Sequence, residues 1–470
     1  MIQLRNKRVA VLGLRPPGIA MMRFAQRQGA KVKGFGILLP EQFEAAKKSL
    51  KGAPIELILT ENLPDNFADE FDVVILITIH TNYVPSILKA KAQGVEILTD
   101  IELFSMLHRG KLIAITGSNG KSSVALMLKG ILDNQNKKSR ILGGGFLAIG
   151  EALLDTKPYD YEILRTDSLK LKWSQTFHPH VAAILNIYPG DRHKHENFDD
   201  YAISISRVFS QQKEDDFLVY QNSSNIGLFL KKVGAKAHKI PFSLEHLGNS
   251  SAYFSPKGIK LVYLSKDAPP EQFPINPKVR RYAHKTQNML AAICIAKACG
   301  CSDEAIQKMI DELRPLPHRL EWFKTIDGVK YYDDSKAHNI AATLNALLSF
   351  EDQSLVLIAG GEYMSQQFYK DLCPLLEKKV KCLIIIGEYR ERFFKHWGEA
   401  TETYLVKTLE EAVPIAYQKA KKRDKVLFSP ASLSDRQLFA NSSERGDEFK
   451  KLVNKLEEFS KARQVVARKI

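Results

Sequence analysis

Several features that would point to a particular function class are scarce or missing in this sequence. Cysteine occurs only five times in 470 residues. No second pair or histidine cluster stands beside Cys299 and Cys301, which argues against a zinc site or a disulfide framework. No apolar run approaches the length of a membrane span, and the first one is too short for a signal peptide. Repeats and low-complexity tracts are also missing. These absences predict a cytoplasmic protein with reduced thiols and no membrane span.

Acidic residues are outnumbered by basic ones. The chain has 68 Lys and Arg against 53 Asp and Glu, a formal net charge of +15. Such an excess can attract nucleic acid, anionic lipid or a phosphorylated small molecule. The positive residues are scattered, with short clusters such as KKRDK at 421–425, and no zinc-finger or aromatic RNA-binding motif accompanies them. We therefore expect a solvated basic surface and no nucleic-acid partner, with nucleic-acid binding as a weaker alternative.

Short apolar strands alternate with amphipathic helices along the chain, which is the pattern of parallel α/β sheets. A chain of 470 residues is too long for one hydrophobic core. The pattern predicts three α/β domains in series, at residues 1–109, 110–314 and 315–470, and we expect the chain to be a monomer. The predicted strands include RVAVLGL and DVVILIT in the first domain, LIAIT and YEILRT in the second, and SLVLIAGGE and KCLIIIGE in the third.

A glycine-rich loop carries the clearest chemical signal. The strand LIAIT leads into this loop, and the helix VALMLKGILDN follows it. Glycine lets the backbone approach phosphates closely, and a helix N-terminus offers N–H groups and the positive end of its dipole. Lys121 would reach the outer phosphates, and Ser122 would place its hydroxyl on Mg²⁺. A plain turn is the alternative. We predict an ATP site formed by Gly117, Ser118, Asn119, Gly120, Lys121, Ser122 and Ser123, with Lys121 catalytic.

The segment ITGSNGKSS at 115–123 resembles the ATP loop of the Mur ligases, which join amino acids to peptidoglycan precursors. Other segments follow the order of the MurD-type D-glutamate ligases: TDIELF at 99–104, LPHRLE at 316–321, GVKYYDDSKAHNIAAT at 328–343 and LFSPASLSDRQLFANSSERGDEF at 427–449. The resemblance implies the three-domain α/β architecture of that family. Its parts would be a Rossmann-like N-terminal domain that binds a uridine nucleotide, a central P-loop ATPase domain and a Rossmann-like C-terminal domain.

The resemblance also implies a reaction. ATP would phosphorylate the carboxylate of UDP-N-acetylmuramoyl-L-alanine, and the amine of D-glutamate would then attack the acyl phosphate. ATP and Mg²⁺ are the implied cofactors, and ATP, ADP and the UDP-muramoyl precursor are the implied ligands. The matching positions imply nucleotide contacts at Asn288, Arg319 and Asp334, catalytic roles for Asp334 and Lys336, and a substrate contact at Ser434.

These positions also have simpler interpretations. Arg319 and Asp334 could form an interdomain ion pair, and Asn288 could be an ordinary helix residue or cap. The residues Asp191, Arg192 and His193 resemble the end of a histidine-containing stretch in the family, although the metal-binding histidine itself is not recognisable.

Two metal-ligand positions of the family are altered. Arg165 stands where the family has a magnesium-binding glutamate, and Ile205 where it has a lysine that is carbamylated in the active enzyme. An arginine cannot coordinate a cation. Its guanidinium would instead pair with nucleotide phosphates, so we expect nucleotide binding with little dependence on magnesium. Asp167, two residues after Arg165, could partly substitute if it lay on the same face of a strand.

Substrate positions of the family are altered as well. In the first domain, Arg15, Pro16 and Pro17 interrupt the glycine pattern that would approach a phosphate, so we expect the uridine site to be weak or absent. Elsewhere, the family's lysine, threonine, aromatic residue and first asparagine are replaced by Met364, His338, Ser442 and Lys285.

Two functional hypotheses remain at this point. The chain is either an ATP-dependent ligase of the MurD type, or a catalytically degenerate paralogue that binds nucleotide or a partner without turnover.

Overall fold

A computed structural model of the chain describes residues 3–188, 195–245, 247, 251–255, 258–261, 271–274, 283–313, 317–363, 369–434 and 438–467. The described residues contain three β-sheets. By their contacts they fall into two compact units, of which the first is made mainly of residues 1–187, 194–276 and 285–312, and the second mainly of residues 313–470. The first two sheets lie in the first unit and the third sheet in the second unit.

The first sheet has five parallel strands in the order β3-β2-β1-β4-β5. Valine, isoleucine and leucine fill its central strands, which are buried on both faces, as parallel sheets require. The strands are β1 Arg8–Leu12, β2 Lys31–Gly36, β3 Glu56–Leu59, β4 Val73–Leu76 and β5 Glu96–Thr99, and the helices are α1 Pro16–Arg27, α2 Pro40–Ser49, α3 Phe67–Glu70, α4 Val84–Ala92 and α5 Asp100–Leu107.

The central sheet has nine strands in the order β14-β13-β12-β11-β10-β9-β6-β8-β7. Strands β6 to β12 pair in parallel, and β13 and β14 add an antiparallel edge. The strands are β6 Lys111–Thr116, β7 Ser139–Leu142, β8 Tyr161–Arg165, β9 Val181–Ile184, β10 Phe217–Gln221, β11 His238–Ser243, β12 Ala252–Ser255, β13 Gly258–Leu261 and β14 Glu271–Phe273. The helices are α6 Lys121–Asn134, α7 Ile149–Leu154, α8 Ser168–Trp173, α9 Phe198–Ser206, α10 Ser224–Val233, α11 Ala283–Ala298 and α12 Asp303–Glu312.

The TDIELF segment, residues 99–104, connects the domain of the first sheet to the domain of the central sheet through buried polar contacts. The buried carboxylate of Asp100 pairs with Lys170 on α8 at 2.6 Å. Glu102 Oε1 accepts hydrogen bonds from Gln175 N and from both the N–H and the hydroxyl of Thr176. Buried carboxylates are tolerated only with such partners. The motif that resembles the family's is therefore a structural joint within the first unit.

The third sheet has six strands in the order β15-β16-β20-β17-β18-β19, parallel except for the β15–β16 pair. The strands are β15 Glu321–Ile326, β16 Val329–Asp333, β17 Leu355–Gly360, β18 Val380–Ile386, β19 Glu402–Leu405 and β20 Lys425–Phe428, and the helices are α13 Ile340–Leu347, α14 Cys373–Lys379, α15 Arg390–Trp397, α16 Leu409–Lys419 and α17 Ser442–Ala467.

The predicted α/β fold class is confirmed, because three mainly parallel sheets lie within the three predicted ranges. The exact domain boundaries remain a prediction. Within the described part of the chain, no helix combines the length and the apolarity needed to cross a bilayer.

Candidate active site

The glycine-rich loop joins β6 to α6 as a strand–loop–helix unit. Gly117 and Gly120 both have positive φ, at 130° and 90°, a backbone conformation that other residues rarely adopt. A β-carbon at Gly117 would lie 2.9 Å from the Asn186 carbonyl oxygen, and one at Gly120 would overlap Asn288 Oδ1. Both glycines are thus required by the backbone and by their neighbours.

Lys121 is the first residue of α6. Its ammonium group folds back on the loop and donates to the carbonyl oxygens of Gly117 and Ser118, the latter at 3.1 Å. Ser122 follows in the first turn and is half-buried, while Ser123 is buried. A cation that bridges the loop carbonyls lies where phosphates would approach the N-terminus of a helix.

Asn186, which follows β9, holds the loop from the side. Its Oδ1 accepts from Asn119 N at 2.8 Å, and its Nδ2 donates to Asn119 O at 3.1 Å. The backbone oxygen of Asn186 accepts from Ser118 N at 3.1 Å. These bonds fix the loop on the neighbouring strand, because β9 pairs in parallel with β6.

A buried polar network continues from the loop to α9. The Ser118 and Tyr201 hydroxyls lie 2.7 Å apart, and the Tyr201 ring packs against His195. His195 Nε2 lies 2.8 Å from Ser168 Oγ, and its Nδ1 lies 3.2 Å from Asp200. Burial lowers the pKa of His195. The network links the loop to the N-terminal ends of α8 and α9.

Asn288 lies in the interior of α11, and its side chain reaches the loop at Gly120. This placement agrees with the predicted position beside the nucleotide, and it shows that Asn288 is not a cap. Its contact with nucleotide stays a prediction.

Arg165 is the last residue of β8 and pairs with Ile115 of β6. Its guanidinium donates to the Gly144 carbonyl oxygen and stacks over the Phe146 ring at 5.4 Å. The alternative in which Asp167 shares a strand face with Arg165 and partly substitutes for the glutamate does not hold, because β8 ends at Arg165. Asp167 instead caps α8, and its Oδ1 accepts from the backbone of the first turn.

Ile205 lies in α9 with 1% of its surface exposed, packed in the hydrophobic core. It offers no ligand atom. Within the described residues, the one cluster of three or more His, Cys, Asp or Glu ligand atoms is His318, Glu321 and Asp333 in the second unit. Lys450 donates to Glu321 there at 2.6 Å, so a lysine already supplies the positive charge.

In the second unit, Asp334 follows β16 and is buried. Its Oδ1 accepts from Leu320 N at 3.0 Å, and its Oδ2 accepts from Ser429 Oγ at 2.7 Å. Burial raises the pKa of this carboxyl to about 7, although both hydrogen bonds and the charge of Arg319 oppose the rise. Such a carboxyl group changes its charge near neutral pH.

Arg319 lies between two residues with left-handed backbone, His318 at φ 64° and Leu320 at φ 47°. Burial lowers the pKa of Arg319 and also that of Lys336, whose backbone N–H donates to His318 O at 3.2 Å. The three predicted residues Arg319, Asp334 and Lys336 are therefore neighbours. Strained backbone of this kind is concentrated at functional sites.

Arg445, in the SERGDEF segment, has 1% of its surface exposed and donates to the carbonyl oxygens of Ser335 and Ser432. Burial lowers its pKa to about 10. A β-carbon at the next residue, Gly446, would overlap Ser335 Oγ and His318 Nδ1. These two residues hold α17 against the loop that carries Asp334.

The predicted substrate positions are only partly described. The Ser434 hydroxyl is buried and has no hydrogen-bond partner among the described residues. His338 is exposed, Ser442 begins α17 and Lys285 lies in α11. Four positions lie outside the described residues: Met364, Asp191, Arg192 and His193.

The altered loop of the first domain starts α1. Pro16 and Pro17 occupy the first turn, where a missing N–H costs little, and Arg15 precedes them as an exposed residue. A β-carbon at Gly18 would overlap Gly13 O, so the strand-to-helix turn stays tight. The weakness of a uridine site here stays a prediction.

Sequence comparison decides the family. Residues 115–296 match the Mur ligase middle domain, and residues 318–432 match the domain described as "Mur ligase, glutamate ligase domain". The UDP-N-acetylmuramoylalanine–D-glutamate ligase of Caldanaerobacter subterraneus is 32% identical over 459 residues, which cover 96% of this chain and 99% of the relative. The ligase of the same name from Koribacter versatilis is 33% identical over 98% of this chain and 100% of the relative.

The chain belongs to the Mur ligase family, and within it to the MurD-type group. Solved Mur ligases share its fold. A MurF ligase from Thermotoga maritima in complex with ADP superposes with a TM-score of 0.60 at 15% identity, covering 97% of this chain and 100% of that one. A pseudomurein peptide ligase from Methanothermus fervidus gives a TM-score of 0.59 at 16% identity, covering 96% and 100%.

Sequence reasoning missed several residues that this Mur ligase places around its loops. Asn186 is one of them, although an asparagine two residues after the strand next to the P-loop strand is a usable signal. His195 falls between two segments with motifs, and no pattern marks it. Arg445 belongs to a motif of the sequence, but its burial could not be predicted, because burial of an arginine depends on the tertiary structure.

Proposed function

We propose that the chain is an ATP-dependent ligase that joins D-glutamate to UDP-N-acetylmuramoyl-L-alanine. The γ-phosphoryl group would pass from ATP to the carboxylate oxygen of the precursor, giving ADP and an acyl phosphate. The amine nitrogen of D-glutamate would then attack the acyl carbon. The bond from that carbon to the phosphate oxygen breaks, phosphate leaves, and the nitrogen loses a proton to form the amide.

One observation carries this proposal: the identity of more than 30% with D-glutamate ligases extends over nearly the whole chain. The loop geometry supports it. Lys121 bridges the carbonyls of the loop, Asn186 fixes the loop, and Gly120 has the positive φ that the turn into α6 requires. Phosphoryl transfer depends mainly on positioning and charge stabilisation, which such a loop supplies.

The described residues fit one magnesium ion at Ser122. The half-buried hydroxyl of Ser122 in the first turn of α6 would hold an ion that arrives with the triphosphate, and this ion would neutralise phosphate charge. A further ion does not fit the altered positions, because Arg165 is cationic, Ile205 is buried in the core and Asp167 caps a helix. No step is assigned to a second ion.

Phosphate release tests the function directly. The purified chain would be mixed with ATP, UDP-N-acetylmuramoyl-L-alanine and, in separate reactions, D-glutamate, L-glutamate and other D- and L-amino acids. We expect release that needs both the precursor and D-glutamate, and that is lost in Lys121→Ala. Release with another amino acid but not with D-glutamate would refute the assigned substrate while leaving a ligase.

A second candidate is a degenerate paralogue that binds nucleotide without turnover. The observation that favours it is the arrangement at Arg165 and Ile205, where the chain offers no ligand for a second ion. Nucleotide binding by calorimetry, combined with no phosphate release with any amino acid, would select this candidate. The cytoplasmic location, the monomeric state and the lack of a nucleic-acid partner stay predictions.

A further inference from the structure

Arg165 lies at the carboxyl end of β8, beside the point where the glycine-rich loop 117–120 begins after β6. It pairs with Ile115, the residue before the last one of β6, and Thr166 N donates to Ile115 O at 3.1 Å. The carboxyl ends of neighbouring parallel strands meet at one edge of a sheet, which is where such sheets bind their ligands. The side chain of Arg165 therefore starts on the strand beside the phosphate loop.

A loop of three glycines is shaped around this arginine. Gly143, Gly144 and Gly145 all have positive φ, at 74°, 56° and 92°. The loop closes on itself through a hydrogen bond from Gly143 N to Leu147 O at 3.0 Å. No run of residues other than glycine would adopt three left-handed conformations in succession without strain.

The glycine loop approaches Arg165 closely at Gly143 and Gly144. A β-carbon at Gly143 would lie 2.6 Å from the Arg165 carbonyl oxygen, and one at Gly144 would overlap the guanidinium itself. The Gly144 carbonyl accepts from Nη1, and the Phe146 ring lies under the guanidinium at 5.4 Å. The loop thus fixes a planar cation at the phosphate edge of the sheet.

The neighbouring groups do not rebuild a metal site there. Asp167 accepts from the first turn of α8, and Ile205 is buried in the core. The protein itself therefore supplies a positive charge at the carboxyl ends of these strands. A guanidinium is able to form two parallel hydrogen bonds to phosphate oxygens.

We propose that Arg165, held by the glycine loop 143–147, binds the transferring phosphoryl group and replaces a second metal ion. This inference rests on the proposed function. While the bond from the γ-phosphorus to the bridging oxygen of ATP breaks and the bond to the substrate carboxylate forms, the guanidinium donates to the equatorial phosphoryl oxygens. Arginines in this role stabilise the charge of the transition state in other phosphoryl-transfer enzymes.

Calorimetry of nucleotide binding, with magnesium and with EDTA, separates the contribution of Arg165 to the affinity from that of the metal ion. The probes are ADP and a non-hydrolysable ATP analogue. We expect the wild-type chain to bind the analogue in both buffers, and to lose less affinity in EDTA than Arg165→Glu does, because only the ion at Ser122 is removed. Arg165→Met should weaken binding of the analogue in EDTA by about tenfold or more, and that of ADP by less, because hydrogen bonds to charged groups are the strong ones. Arg165→Glu should bind the analogue only with magnesium.

Gly144→Ala tests the loop without removing the cation. Its β-carbon displaces the guanidinium, so it should weaken analogue binding in EDTA as Arg165→Met does. The effects should not add in the double variant, since both changes remove one contact. Arg207→Met is the charge control, because that arginine donates to Ser174 O instead and should leave both affinities unchanged. Circular dichroism melts confirm that each variant is folded.

The outcomes separate the two proposals. Unchanged analogue binding by folded Arg165→Met in EDTA overturns the inference and leaves the ligase assignment standing. A wild-type chain that requires magnesium as strongly as Arg165→Glu does also overturns it. A wild-type chain that binds neither nucleotide in either buffer overturns the proposed function itself, and the inference with it.

Discussion

The side-chain amide of Asn186 makes two hydrogen bonds with the backbone of Asn119, accepting from its N–H at 2.8 Å and donating to its carbonyl at 3.1 Å. The Asn186 side chain therefore bonds both backbone groups of Asn119, as a neighbouring strand would. These two bonds fix the backbone of the loop, and preorganisation of this kind lowers the cost of binding a nucleotide.

Asn186→Ala should weaken ATP and ADP binding by up to about thirtyfold, because it removes two hydrogen bonds that hold the loop and each is worth about 1 kcal/mol. Calorimetry or a fluorescent nucleotide measures the change. Asn66→Ala is the control, since the side chain of Asn66 donates to Glu70 on the surface. Equal affinity in wild type and Asn186→Ala would show that the clamp does not preorganise the loop.

Lys121→Ala should remove the cation nearest the phosphates and lower nucleotide affinity by about tenfold or more. Lys129→Ala, on the same helix, loses only an exposed pair with Asp133 and should bind as wild type does. The comparison uses titration at fixed ionic strength. Loss of affinity in both variants to the same extent would mean that general charge, not the loop, attracts the nucleotide.

Gly120→Ala should lose nucleotide binding and unfold at lower temperature, because a β-carbon at φ 90° is strained and overlaps Asn288. Gly130→Ala, in the interior of the helix α6 that follows Gly120, is the matched change. The nearest neighbour there lies 3.6 Å from the added carbon, so alanine should stabilise the fold by about 0.5–1 kcal/mol. Thermal melts should show a lower melting temperature for Gly120→Ala and a higher one for Gly130→Ala, and nucleotide titrations should show lost binding only for Gly120→Ala.

Asp334 should make the protein less stable as pH rises towards neutrality. Its pKa is raised from 3.8 to about 7 in the folded state. Between these values the unfolded chain has lost the proton while the folded chain keeps it, so the free energy of unfolding falls with rising pH. Asp334→Asn should remove this fall, and the variant should gain stability relative to wild type from pH 4 to pH 7.

The control for that titration is Asp352→Asn. The hydrogen bond from Lys379 holds the pKa of Asp352 below its usual value, so Asp352 contributes stability above that usual value and loses it as pH falls. Its replacement should therefore cost stability towards neutral pH, the opposite sign. Melting temperatures over the pH range decide, and parallel curves for Asp334→Asn and wild type would contradict a raised pKa.

Local pattern was enough for the elements and for the phosphate loop. The run LIAIT followed by Gly117 and Gly120 determines a strand, a turn and a helix start. The strand follows from a continuous apolar run, the turn from the positive φ that glycine allows, and the helix start from the residues after Gly120. The motifs from TDIELF to SERGDEF also gave the family, because their order along the chain is a property of the sequence alone.

The tertiary structure decided which distant residues meet at these loops. Asn186 reaches Asn119 because β9 pairs with β6, and Asn288 reaches Gly120 from a helix far along the chain. Asp167 became a helix cap because β8 ends two residues earlier. The fit of Arg165 to Gly144 depends on three-dimensional packing between strand ends, where a spacing of one residue changes the face that a side chain occupies. The sequence determined the helices and strands, while the pairing of the strands determined which residues lie around the glycine-rich loop.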